Sequence, residues 1–339
     1  MLRSTTSLTS RFRFLQPSLA AGPAPLYAHL AGRAADELEE GGRLCELLRP
    51  WEDEPDRLLF PLRLLAAVHR WVLAGDLPEL ARHYPSAGGD LPPEGSWRLF
   101  REAVLGRAAD LPGELAGVNQ HNEAARSAGL SLGFVEVARR TGLALRILEV
   151  GTSAGLLLRW DRYREQPWWD GLFQAAPPRD PVRVAERRGC DLDPVDLTAR
   201  EGVLRLRSFV CADLVQHLRM LDDAIEITRR IPAQINRGDG ADWLDQVAAP
   251  RRGMATVVFH SLMTAASSPA SLAAMSEVIQ RKAAEATVEA PLAHLRFEAG
   301  QRPEPDRLVE VRLTTWPGGE EHLLATADVN GRRVQPVAG

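Results

Sequence analysis

The sequence predicts an α/β protein in which a mostly parallel sheet ends in a C-terminal antiparallel hairpin and is preceded by an all-α domain. Three observations carry this. From Pro25 to Arg140, apolar residues recur at helical spacing between Pro/Gly breaks, with no two-residue alternation. From Leu145 onward, short apolar runs alternate with helical stretches, the pattern of parallel βαβ units. Leu308–Thr315 and Glu321–Val329, joined by Trp316-Pro317-Gly318-Gly319, read as a hairpin. The expected domains are residues 1–140, helical, and 141–339, built on the sheet.

Taken in order, Met1–Leu15 is rich in Arg, Ser and Thr and lacks acids. It reads as an amphipathic first helix or a frayed terminus, with a loose likeness to a transit peptide. Leu26, Leu30 and Ala34 share one helical face, and Leu62, Leu65, Ala66 and Val72 keep the same spacing. Breaks fall at Pro50, Tyr84–Pro85, Gly88–Gly89, Leu91–Pro93 and Leu111–Gly113. The expected strands are Leu145–Val150, Val182–Arg188, Gln234–Arg237, Ala255–Phe259 and Leu292–Phe297.

Composition narrows the function. The 339 residues are 45% hydrophobic and 25% charged, with a net charge of −4 and acids interleaved with bases. No basic tract suggests a nucleic-acid surface, and no apolar run approaches the roughly 20 residues of a membrane span. Cys45, Cys190 and Cys211 are odd in number and show no metal-ligand spacing. Free thiols in a reducing cytoplasm are the expectation, with a small molecule as substrate and no metal.

Four motifs carry chemistry. Leu148-Glu149-Val150-Gly151-Thr152-Ser153-Ala154-Gly155 is a strand, a small-residue turn and a helix start, where glycines let a ligand approach the backbone. A tight βα turn without a ligand has the same composition. In Gly189-Cys190-Asp191-Leu192-Asp193-Pro194, a carboxylate at a strand end suits two ribose hydroxyls. Asp193 before Pro194 also suits a helix cap, so the ligand role falls on Asp191. Asn236-Arg237-Gly238-Asp239-Gly240 places an acid where an exocyclic adenine amino group would donate, or where a helix needs its cap. Val257-Val258-Phe259-His260-Ser261 is an apolar strand ending in polar residues, where His260 is either structural or reactive.

In this order the four motifs resemble those of class I S-adenosylmethionine (SAM) dependent methyltransferases. The resemblance implies a Rossmann-like sheet and SAM as cofactor. It implies that Gly151 and Gly155 line the methionine moiety, that Asp191 binds the ribose and that Asp239, beside Gly240, lies by the adenine. Glu149, Ser153 and His260 complete the expected binding set. More closely, the chain resembles an uncharacterised bacterial family known only as a domain of unknown function. That likeness rests on Pro25-Leu26-Tyr27-Ala28-His29-Leu30, Tyr84-Pro85-Ser86, Gln120–Glu123 and the four motifs. Ser153 departs from the usual middle glycine, and Gln166–Asp180, with Trp168 and Trp169, reads as an inserted loop or substrate element.

The expected reaction is transfer of a methyl group to an N, O or S nucleophile, with His260, His121 or Glu298 as general base. On a helix, Asn122 and Arg126 would share a face, and Arg126 would meet the SAM carboxylate; a solvated Glu123–Arg126 pair is the alternative. Three other readings compete. SAM could be consumed by intramolecular alkylation, or bound by a non-catalytic scaffold. Gly151-Thr152-Ser153-Ala154-Gly155 is also a G-x-S-x-G elbow, which would make Ser153 a nucleophile with Asp239 and His260 or His294 as partners.

Overall fold

The computed structural model describes residues 6–56, 59–116, 120, 122–300 and 308–337. In chain order the helices α1 (Leu8–Ala21), α2 (Pro25–Glu40), α3 (Arg43–Leu48), α4 (Phe60–Ala74), α5 (Pro78–Ala81), α6 (Ser96–Gly106), α7 (Leu111–Leu115) and α8 (Arg126–Thr141) come first. There follow β1 (Ala144–Val150), α9 (Trp160–Tyr163), β2 (Val184–Asp191), α10 (Arg200–Ser208), α11 (Val215–Arg230), β3 (Gln234–Arg237), α12 (Gly240–Val247) and β4 (Met254–Ser261). The chain closes with α13 (Met263–Ala266), α14 (Pro269–Ala283), β5 (Leu292–Ala299), β6 (Val309–Trp316), β7 (Glu320–Ala327) and β8 (Gln335–Pro336). Among the described residues, no helix is long and apolar enough to cross a membrane.

The chain forms two compact units, one of Met1–Asn122 with Leu197–Leu221, the other of Glu123–Asp196 with Asp222–Gly339. A cut after residue 140 thus falls inside the second unit, and a piece from the middle of the chain belongs to the first.

The first unit is helical because its apolar residues fall on helical faces that bury one another. Phe12, Leu30, Leu64, Phe100 and Val104 are wholly buried in a core that also takes in Ala212 from the returning segment. That segment does more than fill space. Both carboxylate oxygens of Asp213 accept backbone N–H groups at the start of α2, from Leu26 at 2.9 Å and Tyr27 at 3.3 Å. The helix opens on Pro25 with no cap of its own, so a distant acid satisfies its orphan donors.

The second unit is an eight-stranded mixed sheet of order β3-β2-β1-β4-β5-β6-β7-β8. β1 to β5 pair in parallel, and β5 to β8 are antiparallel. Every residue of the central strand β1 is buried, as expected of a parallel strand covered on both faces. α8 packs on one face, where Phe134 meets Phe259 edge-on at 5.1 Å and stacks on Trp160 at 4.8 Å. It comes so close that a Cβ on Gly133 would lie 2.3 Å from Leu295. The opposite face, with Val258, Leu148 and Leu292, is covered by Trp243 and Leu244 of α12 and Ile279 of α14.

Gln166–Asp180 is a loop with one 3-10 turn at Asp170–Leu172, and its aromatics are packed inward. Trp169 is wholly buried, Tyr163, Trp168, Trp169 and Phe173 form an aromatic chain, and Phe173 bridges to Val334. These aromatics gain more by packing under the C-terminal segment than by facing solvent.

Candidate functional site

In the strand order of the second unit, the chain leaves β1 towards β2 and β3, then returns to β4 on the other side of β1. Ligands of open parallel sheets bind at the carboxyl ends of the strands where the order reverses, here beyond Val150 and Ser261. The sequence motifs converge on this edge.

Beyond β1 the backbone takes the left-handed conformation at Gly151 (φ 72°), Ser153 (φ 49°) and Gly155 (φ 75°). The loop is tied to the end of β2. Gly151 and Thr152 both donate their N–H to the Cys190 carbonyl, at 2.9 and 3.1 Å. The Ser153 N–H donates to Asp191 Oδ2 at 2.7 Å, and Asp191 Oδ1 takes the Asp193 N–H at 2.8 Å. β2 therefore runs on to Asp191, beyond the expected end at Arg188, and its last acid organises the neighbouring loop. No helix starts at Asp193; its carboxylate pairs with Arg237 at 3.0 Å instead of capping.

Neither loop glycine opens straight onto empty space. A Cβ on Gly155 would meet Arg159 Nη1 at 2.6 Å and Ile235 at 2.8 Å, so this residue faces its own chain. A Cβ on Gly151 would lie 2.3 Å from the sulfur of Met263. Met263 follows β4, so its side chain reaches across the point where strand order reverses. Sequence reasoning missed it, because a methionine opening a short helix just past a strand carries no motif.

Glu149 is buried and accepts the Thr152 hydroxyl at 2.5 Å. Burial pushes its carboxyl up to about 8, against the pull of Thr152 and Arg159 and with the help of Asp191. Asp239 caps α12, accepting from Ala241 at 2.8 Å and Asp242 at 3.3 Å, all through Oδ1. Gly240 packs against Val150, where an added Cβ would come within 2.6 Å of the valine. Between Asp191 and Asp193, Leu192 stands 66% exposed, an apolar side chain at a polar edge. Its only sequence signal was an apolar residue between two acids.

His260, at the end of β4, is buried with both ring nitrogens engaged. Nδ1 lies 2.6 Å from Glu298 Oε1 and Nε2 lies 3.0 Å from His294 Nε2. Glu298 also accepts the Met263 N–H at 2.8 Å and, through Oε2, the Thr264 N–H at 3.2 Å and hydroxyl at 2.6 Å. These bonds hold the post-β4 loop, in which Leu262 takes a left-handed φ of 54°. Burial alone would raise the Glu298 carboxyl, but its bonds from His260, Thr264 and Met263 hold it below the usual range. Burial, His260 and Arg296 push His294 well below the usual histidine value, so it stays neutral. The expected bases His260 and Glu298 are thus bonded to each other. A Ser153 elbow would need His260 or His294 paired with Asp239, yet His260 pairs with Glu298 and His294 bonds His260.

Residues 10–335 match the bacterial family described as "Uncharacterized protein conserved in bacteria (DUF2332)". The chain belongs to the DUF2332 family. None of the curated proteins matches it. In this DUF2332 chain α8 begins at Arg126, so Asn122 precedes the helix and donates instead to the Gln120 carbonyl at 3.0 Å. The shared helical face expected of Asn122 and Arg126 does not form. Glu123 and Arg126 are buried, not solvated, and Arg126 Nε donates to the Val329 carbonyl at 3.2 Å. Burial lowers the Arg126 pKa, opposed by the charges of Glu123 and Glu298. Among the expected bases, His121 lies outside the described residues.

Proposed function

We propose that the second unit binds SAM at the carboxyl edge of β1, β2 and β3 and transfers its methyl group to a small-molecule nucleophile. One observation carries the reading. The glycine turn, Asp191 and Asp239 stand at the ends of three adjacent parallel strands, in a sheet whose first five strands follow the dinucleotide-binding order.

The donor set suits a nucleoside. Each Asp191 oxygen spends one lone pair on the backbone and keeps another for a ribose hydroxyl. Asp239 caps α12 through Oδ1, leaving Oδ2 to an amino group. Leu192, next to Asp191 in the chain, offers an exposed apolar side chain at the same edge. Met263 is the group that would swing off Gly151 to admit the methionine part. SAM when bound supplies a methyl group already activated on a sulfonium. The protein's task is then to orient the acceptor, exclude water and hold its proton. His260 Nε2 serves as proton acceptor once its bond to His294 is released, while Glu298 steadies Nδ1–H.

A second reading is a non-catalytic nucleoside-binding module, and the full engagement of His260 favours it. Calorimetry with SAM and S-adenosylhomocysteine tests the binding that both readings share. Mass spectrometry of methylated products from a small-molecule acceptor panel, with SAM present, separates them.

A further inference from the structure

The helical unit holds a serine–histidine pair apart from the residues assigned above to nucleoside binding. His69, on α4, is wholly buried. Its Nε2 lies 2.7 Å from the hydroxyl of Ser86, in the Tyr84-Pro85-Ser86 turn. Its Nδ1 lies 3.0 Å from the Ser208 carbonyl oxygen and 3.1 Å from the Tyr27 hydroxyl. A carbonyl oxygen only accepts, so Nδ1 carries the proton and Nε2 presents its lone pair to Ser86. That is the tautomer in which an imidazole takes a proton from a serine, with a third group fixing the ring.

The surroundings keep the ring in that state. Tyr84 lies against it at 5.5 Å and Tyr27 meets it edge-on at 6.2 Å. Burial, opposed by the Ser208 carbonyl and aided by Arg207, lowers the His69 pKa to about 4, so the ring is neutral at physiological pH. Ser86 itself is only half-buried.

We propose that Ser86 is a nucleophile activated by His69, with the Ser208 carbonyl as the orienting group, and that it accepts acyl groups from small esters. The Ser86 oxygen attacks the ester carbonyl carbon as its proton passes to His69 Nε2. The adduct collapses with cleavage of the bond to the alcohol oxygen, which takes that proton and leaves. Water, giving its proton to the same nitrogen, attacks the acyl-serine; the carboxylic acid departs and His69 returns the proton to Ser86. The site lies wholly within the helical unit and stands or falls independently of SAM binding.

The test is labelling of the full chain with a biotinylated fluorophosphonate, read by peptide mass spectrometry, with thermal melts reporting the fold. The expected result is an adduct on Ser86 that is absent in Ser86→Ala and unchanged in Ser153→Ala. Labelling should slow by about 100-fold or more in His69→Gln, the scale of a lost general base. Because His69 lies in the core, the wild type decides alone if that variant fails to fold. A folded wild type that takes no label at Ser86 overturns the proposal, as does labelling that a folded His69→Gln leaves unchanged.

Discussion

Asp191 Oδ2 accepts the backbone N–H of Ser153 at 2.7 Å, so the last residue of β2 holds the turn that follows β1. An acid placed to meet a ribose is also part of the scaffold. Asp191→Ala would leave the Ser153 and Asp193 N–H groups without this acceptor, at a cost of about 1–3 kcal/mol for each that water cannot reach. The expected outcome is a lower thermal midpoint together with SAM binding at least tenfold weaker. Asp193→Ala removes a pair to a 65% exposed Arg237 and should change stability by at most about 1 kcal/mol. Denaturant melts and calorimetry on both variants read the contrast. A silent Asp191→Ala would contradict it.

Gly155→Val should fail as a test of binding because it should fail to fold. The position has φ 75° and its Cβ would strike Arg159 and Ile235. Expression mainly as insoluble protein is the expected result, against soluble wild type under the same conditions.

Met263→Ala addresses the same edge without strain. Removing the side chain that covers Gly151 should leave the melt within about 1 kcal/mol of wild type, since Met263 is only partly buried. SAM should then bind more tightly, because no side chain has to be displaced first. Weaker binding would mean that the thioether belongs to the binding surface.

Two buried groups set opposing pH dependences. His69 has a folded pKa of about 4 against an ordinary 6.5, so its contribution is complete above pH 6.5 and is lost as pH falls towards 4. Glu149 runs the other way. Its folded pKa of about 8 exceeds the ordinary 4.5, so stability is full below 4.5 and falls as pH rises to about 8. Glu149→Gln should therefore gain on wild type at pH 8.5, by up to about 4 kcal/mol, and gain nothing at pH 4.5. Urea melts at the two pH values measure the difference, and equal gains at both would refute the assignment.

The sheet was legible because parallel strands covered on both faces must be apolar throughout. Leu145–Val150 and Ala255–Phe259 come close to that, interrupted only by the buried Arg146, Glu149 and Thr256, and both lie within observed strands. The acids of the site were legible as strand-end residues, but their backbone bonds were not, since Asp191 and Ser153 meet only through strand pairing. Nothing local marks residues 197–221 as part of the helical unit. The link is Asp213 capping α2 across most of the chain, a tertiary contact that no periodicity encodes. Likewise Ser86 and His69 sit in separate motifs, joined only when the turn folds onto α4.

The central claim is that the carboxyl edge of β1, β2 and β3 holds a nucleoside cofactor. Isothermal titration of the purified chain with S-adenosylhomocysteine tests it most directly, with Leu192→Asp as the paired variant at that edge. The account predicts saturable binding to wild type and loss of most of that affinity in a variant that melts like wild type. No heat up to millimolar ligand, or equal binding by both proteins, would contradict it.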